Sequence, residues 1–145
     1  MQTTLEKFEK KLRLYTEEKQ LSDILKIIRS EKEYLIKLNT SQLMEGKDID
    51  GVLLEPPYFS PSYAEFKLLM NPLGVVDLFL TGKFQRSIFV NANEFPVIFD
   101  ARDSKKDMLV AKYGKILGVS EEDKALFNEH ILPKVKEYYL GIFSL

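Results

Sequence analysis

The chain has 145 residues, the length of one domain, with 45% of them hydrophobic and 30% charged, enough apolar surface for a packed core and too much for a disordered chain. Its 21 Lys and Arg against 22 Asp and Glu leave a net charge of -1, which argues against a protein that coats nucleic acid. Cysteine is absent, and with it disulfides, thiolate zinc sites and thiol chemistry.

The sequence reads as a single domain, 1–145, in three textures: a helical arm over 1–45, a loop and β-sheet region over 46–103, and C-terminal helices over 104–145. Charge divides with them. Residues 1–47 carry 10 basic and 8 acidic side chains, residues 48–103 carry 4 and 8, and residues 104–145 carry 7 and 6. The start, Met1-Gln2-Thr3-Thr4-Leu5-Glu6-Lys7, has no apolar leader, and no run approaches the ~20 apolar residues of a membrane helix. The expectation is a soluble protein made in the cytoplasm.

Thr3 and Glu6 have the spacing of a capping box. Leu5, Phe8, Leu12 and Tyr15 then fall on one helical stripe, which Leu21, Ile24, Leu25, Ile28, Leu35 and Leu38 continue. Helix is predicted over residues 4–44, with a break near Gln20 and Ser22 as a candidate cap, or with the helix running through. A second helix of ~25 residues would span ~37 Å, more than a small core needs. Two readings stand: part of the arm projects or packs on another subunit, or the arm is a helical hairpin on its own domain. Gly46 and the Asp48-Ile49-Asp50-Gly51 turn end it.

Pro56, Pro57 and Pro61 exclude helix and central strand, so a loop follows, with Tyr58, Phe59 and Tyr63 as aromatic pins to the core or to a partner. A short helix is predicted over 62–70, a turn over 71–74 and a strand over 75–80. Thr81-Gly82 breaks that strand, and 83–87 has room for one helical turn. Residues 88–90 and 95–99 read as the arms of a hairpin around 91–94, with Pro96 placing the second arm at an edge or a bulge. Asp103 or Ser104 caps a helix that runs to Tyr113 and stops at Gly114. Ser120, followed by Glu121, Glu122 and Asp123, starts the last helix, on which Leu126, Phe127, Ile131, Val135 and Tyr138 share a side. Pro133 is expected to kink or restart it. The predicted fold is α+β: an N-terminal helical arm, a small mostly antiparallel β-sheet with a hairpin, and C-terminal helices.

The pattern offers no catalytic, cofactor-binding or metal-ligating set. His130, the one histidine, has no second His or Cys to join it, and reads as a surface or half-buried helix residue. Asp48-x-Asp50-Gly51 opens like a calcium loop, but Phe59 stands where the twelfth-position glutamate belongs, so it reads as a turn. Glu121 and Glu122 are explained by helix capping. Lys10, Lys11, Arg13, Lys26, Arg29 and Lys32 interleave with glutamates, as on a solvated helix, and point to no specific nucleic acid.

Several pieces fall in a familiar order. Gly46-Lys47-Asp48-Ile49-Asp50-Gly51 is followed by Ser60, Pro61, Tyr63 and Lys67, then by Asp77, Leu78, Leu80, Thr81, Gly82, Phe84 and Ser87, a hairpin, and Leu109, Lys112, Tyr113 and Gly114. Over roughly residues 40–118 this resembles the head–tail connector and tail-completion (virion morphogenesis) proteins of tailed bacteriophages. Its best piece is the turn of Leu80, Thr81, Gly82, Phe84 and Ser87. There Thr81 is expected to cap, Gly82 to allow positive φ, Phe84 to enter the core, Lys83 and Arg86 to stay outside, and Ser87 to bond back to the turn.

The resemblance implies assembly without catalysis or cofactor. It points to a structural protein of the phage neck or tail, made in the host cytoplasm, that forms a homo-oligomeric ring and contacts portal, neck or tail proteins through heterologous interfaces. Tyr58, Phe59, Tyr63, Lys83 and Arg86 are the candidate partner interface, together with the loop over 52–70 and the N-terminal helices. The alternatives are a small cytoplasmic enzyme or regulatory domain, and a nucleic-acid adaptor.

Overall fold

The computed structural model describes residues 3–54, 65, 78 and 82–144. Thr3 opens helix α1 (Thr4–Leu14) through the predicted capping box. Its Oγ1 accepts the Glu6 N–H at 3.1 Å, and Glu6 Oε2 accepts the Thr3 N–H at 2.9 Å. The arm then breaks twice, first at Tyr15 and Thr16, a turn ahead of the predicted break near Gln20. Thr16 Oγ1 accepts the Lys19 N–H at 3.2 Å and starts helix α2 (Glu17–Ser30). Thr16 is a better start than Ser22 because Glu17 and Glu18 follow it onto the positive end of the helix. The Gln20 side-chain amide donates to the Tyr15 carbonyl at 2.9 Å and so satisfies the chain at the break. The second break is at Glu31, with φ -117 and ψ 18, and helix α3 (Lys32–Met44) follows at once.

Gly46, at φ 73, ends α3 and its N–H donates to Leu43 at 2.8 Å. The Asp48 carboxylate accepts the Asp50 and Val52 N–H groups at 2.9 and 3.0 Å. Both bonds end on Oδ1 and close the predicted turn.

The Pro-rich segment from residue 55, the turn over 71–74 and nearly all of the helix predicted over 62–70 and of the strand predicted over 75–80 lie outside the described residues. Leu78, which is described, has φ 56, so the predicted strand does not pass through it as strand. Helix α4 (Lys83–Arg86) is the single turn expected.

The hairpin pairs β1 (Ile88–Asn91) with β2 (Ile98–Ala101), antiparallel, in the register Ile88↔Ala101 to Asn91↔Ile98. The second arm therefore sits later than predicted. Pro96 has no N–H for a ladder and lies in the connection, after a cis Phe95–Pro96 bond. Ile88 and Val90 are buried on one face of β1, while Phe89 is half-buried.

Asp103 Oδ1 accepts the Lys105 N–H at 2.8 Å ahead of helix α5 (Lys106–Tyr113), which Gly114, at φ 77, terminates. Ser120 Oγ accepts the Asp123 N–H at 3.1 Å and starts helix α6 (Glu121–Phe143), which runs through Pro133 without restarting. Phe127 and Ile131 are buried on its inner side, Val135 and Tyr138 half-buried, and Leu126 exposed. The described residues thus make six helices and one two-stranded antiparallel sheet, the α+β arrangement predicted.

Two apolar clusters flank α3. One holds Leu43, Leu54, Phe84, Ile88, Leu109 and Ile116; the other holds Leu25, Ile28, Leu35, Val90, Phe127 and Ile131. Ile36 of α3 packs on both. Between them α3 presents two buried amides to the connection from α5 to α6. Asn39 Nδ2 donates to the Ile116 carbonyl at 2.9 Å, and Asn39 Oδ1 accepts the Gly118 N–H at 3.1 Å. Gln42 Nε2 donates to Gly118 at 3.5 Å, and Gln42 Oε1 accepts the Ser120 N–H at 3.2 Å. Helix side chains here replace the ladder a strand would supply.

α1 is different. None of its residues is buried, and it rests on the C-terminal part of α6 through Phe8 on Phe143 (5.6 Å between ring centroids) and Tyr15 on Tyr138 (6.2 Å). The Lys11 ammonium also donates to the Ser144 carbonyl.

Replacing Asn39 with Leu keeps the volume and strands a buried N–H and a buried C=O. At ~1–3 kcal/mol for each orphaned group, the variant loses about 2–6 kcal/mol of stability, read as a lower urea midpoint with an unchanged slope. Asn39→Asp keeps the acceptor for Gly118, loses the donor to Ile116, and falls no less far because it buries a charge.

Candidate functional site

Of the sequence-predicted site residues, Gly82, Lys83, Phe84, Arg86 and Ser87 are described; Tyr58, Phe59, Tyr63, Leu80 and Thr81 lie outside the described residues. Gly82 is buried at φ 77 and begins α4. Phe84 is 6% exposed, in the cluster with Leu43 and Ile88. Ser87 Oγ donates to the Phe84 carbonyl at 2.7 Å, closing the turn before β1. Lys83 and Arg86 stay at the surface. These residues serve the turn in the way their spacing suggests, so the motif's first role is structural.

The turn also forms one wall of a cleft of about 660 Å³ between α3, α4 and β1. Lys32 and Glu33 come from α3, Arg86 from α4, and Arg102 from just beyond β2. The Arg102 guanidinium lies 4.0 Å over the Phe89 ring, a cation–π contact that fixes it at the mouth. Among the described residues no carboxylate lies within ion-pair distance of Lys32 or Arg102.

A second cleft, of about 690 Å³, opens between the end of α3, the Asp48–Gly51 turn and the start of α6. It is acidic, carrying Glu45, Asp50, Glu121, Glu122 and Asp123. Lys47 pairs with Glu45 at 3.3 Å, Lys115 with Asp50 at 3.4 Å and Lys124 with Glu121 at 2.8 Å. Burial, and then the charges of Glu122 and Glu45, hold the Asp123 carboxyl above its ordinary value, against the opposing pull of Ser120 and Lys47.

Glu31 makes a third constellation, where α2 gives way to α3. Its carboxylate meets Lys134 at 2.6 Å and His130 Nε2 at 2.8 Å, both from α6. The His130 ring stacks on Tyr34 at 4.0 Å and 8°. His130 is therefore held in a packing contact, a helix residue facing its own domain. The Lys134 bond, then the His130 bond, keep the Glu31 carboxyl below its ordinary value.

Sequence reasoning missed Asn39 and Gln42, which tie α3 to the connection before α6, and Glu31. The first pair left a signal: polar residues standing where Leu35 and Leu43 continue a buried face. Glu31 left none. Among the described residues no three His, Asp or Glu side chains converge in a way that would hold a metal ion. The geometry that remains is two open, oppositely charged clefts on a braced scaffold, an arrangement that can recognise charged protein surfaces. No family model, curated protein or solved structure matches the chain.

Two outcomes follow from this geometry. Gly82→Ala forces an L side chain into left-handed backbone at a buried turn, and lowers stability by about 1–2 kcal/mol in urea unfolding. Glu31, held below the ordinary glutamate value of 4.5 by Lys134 and then His130, adds stability that is full above that value and lost as pH falls through the lower folded value. The gap in urea midpoint between the wild type and Glu31→Gln is thus widest near neutral pH and narrows as the solution is acidified below 4.5. A gap that stays constant contradicts the hold of Lys134 and His130 on Glu31.

Proposed function

We propose that this chain is a structural assembly protein of the tailed-phage neck or tail type, working by protein–protein contact with no covalent bond made or broken. The observation that carries this reading is the layer formed by α1 and the end of α6. α1 buries no residue, and at eleven residues it is too short to hold itself as an isolated helix, so it depends on what it rests against. Leu5 and Leu12 are 65% and 43% exposed on the same stripe as Phe8, and beside Phe143 the Leu140 side chain is 71% exposed. Scattered exposed leucines need no explanation, but these lie together on two paired helices, as on a surface completed by a partner.

The Gly82-x-Phe84-x-x-Ser87 turn adds support from its chemistry. Its residues build a strand entrance that leaves Lys83 and Arg86 outward, in line with what the resemblance implies of a scaffold that presents contact residues. Partners of this reading are the portal-side and tail-side proteins of the same particle and further copies of the chain. The two charged clefts supply register and orientation, and the apolar layer supplies area.

The test is co-expression with the proteins encoded on either side of it, followed by size exclusion with light scattering. The full chain is expected to elute with a neighbour at a multi-copy mass, and a chain lacking residues 1–20 to lose most of that complex while keeping its fold by circular dichroism. A full chain that stays monomeric beside every neighbour, or a truncated chain that assembles as well as the full one, counts against the reading.

A further inference from the structure

α3 separates the two clefts. Lys32, Glu33, Ile36 and Thr40 line the cationic one, and Leu38, Ser41, Gln42 and Glu45 the acidic one. At about 100° per residue the two sets centre on opposite sides of the helix. The acidic first turn of α6 therefore stands across α3 from the cationic cleft. It also projects: the Glu121 side chain is 89% exposed.

This arrangement chooses between two kinds of self-contact. A two-fold contact built on either cleft sets like net charge against like net charge, since Glu33 only partly offsets the cations of one and Lys47 and Lys124 only partly offset the acids of the other. A head-to-tail contact sets unlike charges together and leaves one unused face of each sign at its ends. We propose that copies of this chain associate head to tail, the Glu121–Glu122 turn of one copy entering the cationic cleft of the next, between its Lys32 and Arg102. The inference rests on the assembly reading and names its first partner, a second copy.

Three observations support it. Lys32 and Arg102 have no carboxylate at ion-pair distance among the described residues, and Glu122 and Asp123 have no cation there. Asp123 is raised by burial first and then by the charges of Glu122 and Glu45, and a cation from outside relieves the second of these. Arg102, stacked on Phe89, is already oriented, so less side-chain freedom is lost on contact.

The experiment is sedimentation velocity on the full chain and on two charge-reversed variants, K32E/R102E and E121K/E122K, singly and mixed. All four positions are exposed, so the core is left as it is; thermal melts monitored by circular dichroism check the folds. The wild type is expected to gain mass with concentration at about 0.1 M salt and to return to monomer at about 1 M, where the screening length falls from about 10 to about 3 Å. Each variant alone loses association by about tenfold or more, the scale of a rim charge pair turned repulsive. The equimolar mixture regains it, because each variant then carries the charge the other's cleft needs.

A wild type that stays monomeric at low salt, variants that associate as well as it does, or a mixture that fails to recover each overturn the inference. In the first case co-assembly with neighbouring proteins still tests the broader reading, and in the second the self-contact stands on another surface. A chain that is monomeric alone and beside every neighbour removes both.

Discussion

Four hydrogen bonds from two amides hold this molecule in register. Asn39 and Gln42 are 0% and 6% exposed, and together they satisfy backbone groups of Ile116, Gly118 and Ser120 that would otherwise be buried without partners. The connection they hold is itself tight. Gly118 has φ 137, and a Cβ there would come within 3.1 Å of Ile49. Ile49 in turn donates its N–H to the Lys115 carbonyl at 3.0 Å. The turn after α3, the connection before α6 and α3 itself are thus fixed to one another by backbone-specific contacts. Polar bonds of this kind specify one arrangement where apolar packing alone tolerates several.

What depends on that register is where charge falls. Read along the chain, the middle segment is the acidic one. In space the division is by the faces of α3: the acidic cleft takes Glu45 from the first segment, Asp50 from the second and Glu121, Glu122 and Asp123 from the third. The cationic cleft draws likewise on Lys32, Arg86 and Arg102. Exposed ion pairs contribute little to stability, so these groups are not needed for the fold and are available for encounter and orientation. The apolar layer of α1 and α6 lies apart from both clefts in sequence and provides what charge does not, area removed from water.

The legible parts of the fold were those with local causes. Thr3 with Glu6, Ser120 with its three acids, the Asp48 turn and the glycines after α3 and α5 all act within a few residues of themselves, and all stand as read. Thr16-Glu17-Glu18 carries the same cap signal as Ser120-Glu121-Glu122, yet the apolar stripe running past it left the break placed near Gln20 with Ser22 as its cap, or the helix running through. The break at Glu31 has no glycine or proline to announce it; its carboxylate is engaged by His130 and Lys134 about a hundred residues away. The hairpin was found, but its second arm was set too early, because Phe95 to Val97 look like strand until the ladder shows that Pro96 has no place in it. Of the candidate site, the internal roles of Gly82, Phe84 and Ser87 were readable because they are local. The clefts were not, since each is assembled from three distant segments around a helix whose buried amides sequence periodicity treats as exceptions.

The brace between α3 and the 114–120 connection is the claim on which the cleft geometry rests, and amide hydrogen exchange of Gly118 and Ser120 in the native protein tests it most directly. Both N–H groups end on side-chain oxygens of α3, so the account predicts protection close to that of the amides in the middle of α3 itself, lost only with global unfolding. Exchange of these two amides at the rate of an exposed loop, while α3 remains protected, would contradict it.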